Sequence, residues 1–138
     1  MLINNFDNIH IFNLALSNKK KKIKMWVSDI KRTGGFSVFN ENDEELKKYN
    51  LTYSELTQSD LADSILNIKN ANLAIKIDVE RHEEQVLLGA SKLLTENKVI
   101  IQIEIFDKRK KKIFNILKNY KYRLYNSIDK DYYFTNFI

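Results

Sequence analysis

One short segment of the chain concentrates the residue types that carry out acid–base chemistry. Asp78-Val79-Glu80-Arg81-His82-Glu83 holds three carboxylates and one imidazole within six residues. On the alternating pleat of a strand, Asp78 and Glu80 point the same way, and His82 follows at the start of a helix. A carboxylate beside a histidine fixes the imidazole tautomer and raises its basicity, which suits removal of a proton from a hydroxyl. The segment therefore supplies three catalytic candidates: Asp78, Glu80 and His82.

Two other interpretations of this segment stay open on its chemistry alone. The same groups could ligate a divalent cation, but their spacing matches no strong metal motif, so no metal site is predicted. Alternatively, Glu80 and Glu83 could simply lie at a helix N-terminus, where negative charge is favoured by about 0.3–1 kcal/mol each. That second interpretation explains the carboxylates at the helix start, but it does not explain Asp78 at the end of an otherwise apolar strand.

Hydrophobic patterns predict the elements that would position these groups. The apolar runs over residues 73–79 and 99–106 are typical of buried strands, and Asp78 and Glu104 lie near their carboxyl ends. Helices are predicted over residues 80–94 and 108–119. Because a largely parallel sheet binds ligands beyond the carboxyl ends of its strands, Glu104 becomes a fourth catalytic candidate.

The remaining segments predict a single α/β domain over residues 1–138. Strands are expected over residues 8–17, 23–27, 51–57, 122–125 and 132–137, with a loop at Thr33-Gly34-Gly35 and a polar, unassigned stretch over residues 40–49. Ser59 is expected to cap a helix over residues 60–68, and Asp107 to cap the helix that follows it. Alternation of strands and helices favours layers around a mostly parallel sheet, and no Pro/Gly/Ser-rich linker divides the chain.

Composition excludes several classes of protein. The 138 residues include no Cys and no Pro, with 43% hydrophobic and 30% charged residues. Because the chain has no cysteine, a disulfide framework, a zinc finger and a thiol nucleophile are excluded. No apolar run approaches the length of a membrane span, and the N-terminus lacks the pattern of a signal peptide. A soluble, cytoplasmic domain is expected.

The formal net charge of +5 raises the question of an anionic partner. The excess lies in two basic runs, residues 19–22 with Lys24, and residues 108–112. Phosphate-binding faces usually interleave arginine and aromatic residues with lysine, whereas these runs are almost entirely lysine. Solvated surface is the favoured interpretation, and no specific nucleic-acid binding is expected.

The central segment resembles the hallmark of a known family. Residues 75–83, Ile-Lys-Ile-Asp-Val-Glu-Arg-His-Glu, followed by Val86-Leu87 and Gly89-Ala90, closely resemble the strand-to-helix motif of the FkbM family of methyltransferases. Other matching pieces occur in the family's order: Ala15-Leu16-Ser17-Asn18, Gly34-Gly35-Phe36-Ser37, Asp60-Leu61 and Ile101-Gln102-Ile103-Glu104.

This resemblance implies a Rossmann-like class I methyltransferase fold that uses S-adenosylmethionine. Members of the family typically methylate hydroxyls of sugars, glycolipids or natural products. By matched position, Ser17 and Asn18 would bind the cofactor near its adenosine end. The four catalytic candidates would line the cleft where donor meets acceptor, with His82, assisted by Asp78, as the base.

Two departures from the family pattern qualify these expectations. Arg81 stands where the family usually has Gly, a residue that permits an unusual backbone angle or close approach of a ligand. No Gly precedes Gly34, so the Gly-rich loop after the first strand of the fold is not evident, and the chain is similar to an N-terminally truncated domain ending in an antiparallel strand. The alternative to a complete enzyme is a non-catalytic remnant or a partner-requiring half that acts as an interaction module. A partner-requiring half would take a complementing chain through an open sheet edge, whereas a remnant would have that edge capped or would self-associate as a homo-oligomer.

Overall fold

The computed structural model describes residues 7–27, 37–38 and 53–137. The expected loop at Thr33-Gly34-Gly35 and the polar stretch over residues 40–49 lie outside the described residues. In the described parts, the elements in chain order are β1 (Ala15–Leu16), β2 (Lys21–Val27), β3 (Tyr53–Asp60), α1 (Ala62–Ile65), β4 (Asn72–Ile77), α2 (Glu83–Gly89), α3 (Ser91–Thr95), β5 (Lys98–Glu104), α4 (Asp107–Asn119), β6 (Arg123–Ile128) and β7 (Asp131–Thr135).

The first three strands form one sheet with β3 at its centre. β1 runs parallel to β3, and β2 runs antiparallel to it, with Lys21 opposite Ser59 and Val27 opposite Tyr53. Ser59 is buried within β3, and its hydroxyl donates to the backbone carbonyls of Lys19 at 2.8 Å and Lys21 at 2.9 Å. The prediction that Ser59 caps a helix is therefore wrong, because its hydroxyl instead donates hydrogen bonds to backbone carbonyls in β2 and just before it.

The other four strands form a second sheet in the order β4-β5-β7-β6. β4 and β5 are parallel, and the connection between them contains α2 and α3, as a parallel pair requires. β7 is antiparallel to both β5 and β6, so the chain closes with the two strands that the sequence predicts.

The mixed α/β architecture is confirmed, but a mostly parallel sheet is not. Of the five strand pairings among the described residues, β1–β3 and β4–β5 are parallel and three are antiparallel. The predicted strand over residues 8–17 is also much shorter in the structure, because only Ala15 and Leu16 pair with β3. The apolar side chains before it are exposed: Ile9, Ile11 and Phe12.

The main core lies between the second sheet and the helices on one of its faces. Val99, Ile101 and Ile103 of β5 are 0% exposed, and they join a cluster that includes Leu87, Leu94 and Leu117 from α2, α3 and α4. Ile100, which points to the opposite face, is 42% exposed. The expectation of buried strands is thus met on one face of this sheet.

The predicted helix over residues 80–94 is divided in the structure. Glu80 and Arg81 have φ of 44° and 77°, values in the left-handed region that a right-handed helix cannot include. α2 therefore begins at Glu83, and Ala90 separates it from α3. The N-terminal amides of Lys92 and Leu93 in α3 donate to the carboxylate of Asp63, each at 2.9 Å.

Asp107 does not cap α4, contrary to the prediction. It is the first residue of the helix, and the N-cap residue, Phe106, makes no side-chain capping hydrogen bond. In this position the carboxylate still lies near the positive end of the helix dipole. None of the helices in the described part of the chain has the length and apolar character required to cross a membrane.

Candidate functional site

The structure brings three of the predicted catalytic residues together at the carboxyl ends of β4 and β5. Asp78 directly follows β4, Glu80 lies in the next turn, and Glu104 is the last residue of β5. One carboxylate oxygen from each lies within 4.8 Å of the others. The parallel pairing of the two strands produces this cluster, because it aligns their carboxyl ends at one edge of the sheet.

Burial and neighbouring charges together shift the pKa of one carboxyl group in this cluster. Burial, followed by repulsion from Asp78 and Glu80, raises the pKa of Glu104 above its ordinary value. Asp78 accepts a hydrogen bond from Lys76 Nζ at 2.7 Å, and this contact also raises the pKa of Lys76. The cluster therefore contains one carboxylate balanced by a cation and another, Glu104, that holds a proton more readily than an ordinary glutamate.

The carboxylates of Asp78 and Glu80 line a cleft of about 620 Å³, which we call the acidic cleft. This volume is within the range of sites for small organic ligands. Its polar wall is completed by His82, and its apolar wall consists of Leu14, Ala15, Leu16, Met25, Val38 and Val79. The acidic cleft thus combines two carboxylates with a mostly apolar lining.

A strained turn carries the chain from β4 into α2. Arg81 adopts the left-handed conformation that a Gly permits at this position, which is where the resemblance expects Gly. The turn is held by hydrogen bonds: the Arg81 amide donates to Glu83 Oε1 at 2.7 Å, and the Arg109 guanidinium donates to the Arg81 carbonyl. The Arg81 guanidinium lies 5.4 Å from the ring centroid of Phe106.

His82 lies at the end of this turn and contacts the first sheet. Its Nε2 is 3.0 Å from Ser17 Oγ, so its hydrogen-bond partner is Ser17 and not Asp78. Burial, and then the positive charges of Arg109 and Lys21, lower the pKa of His82 to about 4. The imidazole is therefore neutral at pH 7, and its basicity is lowered, whereas the sequence pattern predicts that Asp78 raises it.

Gly89 allows α2 to approach Ser17 closely enough for this contact. A Cβ atom at position 89 would lie 2.0 Å from the Ser17 carbonyl oxygen and 3.3 Å from the Cα of Asn18. Any larger residue would push α2 away from the end of β1. Gly89, one of only three glycines in the chain, therefore allows α2 to pack against the end of β1.

The predicted cofactor-binding residues line a second, smaller cleft. Ser17 and Asn18 border a space of about 300 Å³, which we call the basic cleft because its charged lining residues are all cations. These cations are Lys19, Lys21, Arg81 and Arg109. His82 and Val38 line both clefts, so the two spaces adjoin across the imidazole.

Sequence reasoning did not single out Glu83 or Arg109 as parts of the site. Glu83 is 1% exposed and its Oε2 has no hydrogen-bond partner among the described residues, and burial raises its pKa. Its position at a helix start concealed this burial. Arg109 is hidden in a lysine run, and its only distinguishing signal is that it is the one arginine in that run.

Comparison with known proteins identifies one family. The family model described as Methyltransferase FkbM domain matches residues 2–124 of the chain. No curated protein and no solved structure matches the sequence of this chain.

Proposed function

Because the chain belongs to the FkbM methyltransferase family, we propose that it transfers the methyl group of S-adenosylmethionine to a hydroxyl of a sugar, glycolipid or natural product. Membership of this family indicates a methyltransferase in general, and methyltransferases of this kind depend on S-adenosylmethionine. The observation that carries the more specific proposal is the acidic cleft, whose lining carboxylates, Asp78 and Glu80, lie within 4.8 Å of Glu104 and whose other lining residues are mostly apolar.

The residues of the acidic cleft fit S-adenosylmethionine in charge and in character. Asp78 and Glu80 would hold its positively charged end, because a carboxylate attracts a sulfonium or ammonium group strongly where little water intervenes. The apolar wall that includes Leu14, Met25 and Val38 would take the less polar part of the molecule. When bound, S-adenosylmethionine supplies an electrophilic methyl group.

Transfer to a hydroxyl also requires a group that accepts the hydroxyl proton. A general base works best when its pKa is near the operating pH. The raised pKa of Glu104 moves that carboxylate toward neutral pH, whereas the pKa of His82, about 4, makes the imidazole a weak acceptor. These directions support Glu104 as the base, in place of the His82–Asp78 pair expected from the sequence.

His82 then has a positioning role in the proposal. Its neutral ring forms a hydrogen bond with Ser17 and lies between the two clefts, lining both of them. A neutral imidazole at this place can orient an acceptor hydroxyl through a hydrogen bond without adding a cation beside a cationic donor.

A transfer assay with labelled S-adenosylmethionine and a panel of sugars and glycolipids tests these roles. Glu104→Gln should lower the rate about 10²-fold, the range for loss of a general base, and His82→Gln should lower it several-fold. Glu96→Gln is the matched control, because Glu96 precedes β5 at the opposite end of the sheet and pairs with Lys69 at 3.1 Å. A loss below threefold in Glu104→Gln, or an equal loss in the control, would remove the proposed role of Glu104.

Association through a sheet edge remains part of the proposal. β4 lies at one end of the strand order of the second sheet, and no described strand pairs with its outer side. An edge of this kind can accept a further strand from a second copy or from a complementing chain.

A further inference from the structure

The basic cleft draws its cations from both lysine-rich runs of the sequence. Lys19 and Lys21 come from the first run, just before and at the start of β2, and Arg109 comes from the second run, in the first turn of α4. These residues are about ninety positions apart in the chain, yet they border one space of about 300 Å³. Folding therefore brings together cations that the sequence pattern predicts to lie on separate solvated surfaces.

Lys19, Lys21 and Arg109 form no salt bridge among the described residues, although the Glu83 carboxylate interacts electrostatically with Arg109. By contrast, Lys20, Lys76 and Lys112 form ion pairs with Asp60, Asp78 and Glu84. The charges of Arg109 and Lys21 both lower the pKa of the half-buried imidazole of His82, and Glu84 only partly opposes them. A cleft whose charged lining residues are all cations favours an anionic ligand.

The polar groups of the basic cleft also suit a particular kind of anion. The guanidinium of Arg109 is held in place by its bond to the Arg81 carbonyl, and it keeps further N–H groups that can donate to oxyanion oxygens. Gln85 lines the same cleft, and a side-chain amide can exchange hydrogen bonds with a ligand hydroxyl.

We propose that the basic cleft binds a phosphate group carried by a polyhydroxy compound such as a sugar phosphate. The phosphate would lie among Lys19, Lys21 and Arg109, and a ligand hydroxyl would donate to Gln85. Because the two clefts adjoin across His82, the same compound can extend another hydroxyl into the acidic cleft. This last step rests on the proposed function and makes the methyl acceptor a phosphorylated one, whereas phosphate binding itself does not depend on methyl transfer.

Titration of the chain with inorganic phosphate, glucose 6-phosphate and glucose, in the absence of S-adenosylmethionine, tests the proposal. We expect glucose 6-phosphate to bind more tightly than either of the other two probes. Lys21→Gln and Arg109→Gln should each weaken binding about tenfold, the effect of losing one charge-assisted contact. Because the probes contain no methyl donor, the outcome is independent of whether the chain transfers methyl groups.

Lys22→Gln provides the matched control, since Lys22 is adjacent in β2 but points to the other face of the strand. It should bind glucose 6-phosphate as the wild type does. Lys21 is exposed, so its variant tests the cleft even if Arg109→Gln unfolds. Equal weakening in Lys22→Gln, no binding by the folded wild type, or preference for a single-stranded oligonucleotide over glucose 6-phosphate would each overturn the proposal.

Discussion

Arg81 has the backbone conformation that glycine adopts most easily. Its φ of 77° costs a residue with a side chain about 1–2 kcal/mol. Arg81→Gly should therefore be more stable than Arg81→Ala by about 1 kcal/mol, although both variants lose the contact between the guanidinium and Phe106. Urea denaturation of the two variants measures the difference directly.

The comparison with alanine is the control, because alanine removes the same side chain but keeps Cβ in the strained conformation. If the two variants unfold at the same urea concentration, the turn at Glu80 and Arg81 does not store the strain that its dihedral angles indicate.

His82 should make stability depend on pH. Its pKa of about 4 in the folded chain lies below the ordinary value of 6.5, so the unfolded chain binds more protons between these two values. The stability associated with neutral His82 is therefore complete above about pH 6.5 and is lost as the pH falls toward 4. After allowance for solvent screening the loss is about 2 kcal/mol.

Denaturation at pH 7 and at pH 4.5 checks this dependence. His82→Gln should lose less stability than the wild type over this interval, because it has no imidazole to protonate. His10→Gln is the control, since His10 is the only other histidine and is exposed. If His82→Gln and His10→Gln follow the same profile as the wild type, the half-buried imidazole of His82 does not cause the pH dependence.

At the scale of single residues, the sequence predicted which carboxylates lie close together but not the hydrogen-bond partner or the pKa of His82. Asp78, Glu80 and Glu104 cluster as expected. The alternation of side chains along a strand and the alignment of the carboxyl ends of parallel strands are enough to predict this proximity. The bond from His82 to Ser17 joins residues 65 positions apart, and no local pattern indicates it. The lowered pKa of His82 follows from burial and from cations brought in by tertiary folding.

The packing of α2 depends on Gly89. A methyl group there would lie 2.0 Å from the Ser17 carbonyl oxygen, which forces the helix or the end of β1 to move. Gly89→Ala should therefore lower the free energy of unfolding by about 3 kcal/mol or more, the upper part of the range for overpacking. It should also separate His82 from Ser17.

Leu88→Ala is the matched control on the same helix, because Leu88 is 40% exposed and its truncation leaves the contact with Ser17 unchanged. Urea denaturation should show a much smaller loss for Leu88→Ala than for Gly89→Ala. The reverse order would mean that α2 does not depend on close approach to β1.

Elements with strong hydrophobic patterns were predicted well, and their ends were not. β2, β5, α4 and the closing pair of strands form close to the expected positions. Ser59 and Asp107 were both wrongly predicted to be helix caps. A polar residue beside a helical pattern can instead donate a hydrogen bond to a distant backbone carbonyl, as Ser59 does, or be the first residue of the helix, as Asp107 is. The turn at Arg81 was indicated only by the resemblance, because arginine has no propensity for that conformation.

The arrangement of the whole molecule was the least predictable from sequence. The strands divide into two sheets with three antiparallel pairings, because pairing is decided by long-range contacts that local patterns do not specify. The same folding brings Lys19, Lys21 and Arg109 together from two separate runs. At this scale the two clefts carry the two proposals: the acidic cleft the methyl transfer, and the basic cleft the phosphate binding.

Calorimetric titration of S-adenosylmethionine into the 138-residue chain tests the central claim most directly. We predict micromolar binding by the wild type and at least tenfold weaker binding by Asp78→Ala, because Asp78 supplies negative charge to the acidic cleft. Lys22→Gln should bind as the wild type does. No binding by a chain that circular dichroism shows to be folded would contradict the claim and would favour a non-catalytic role.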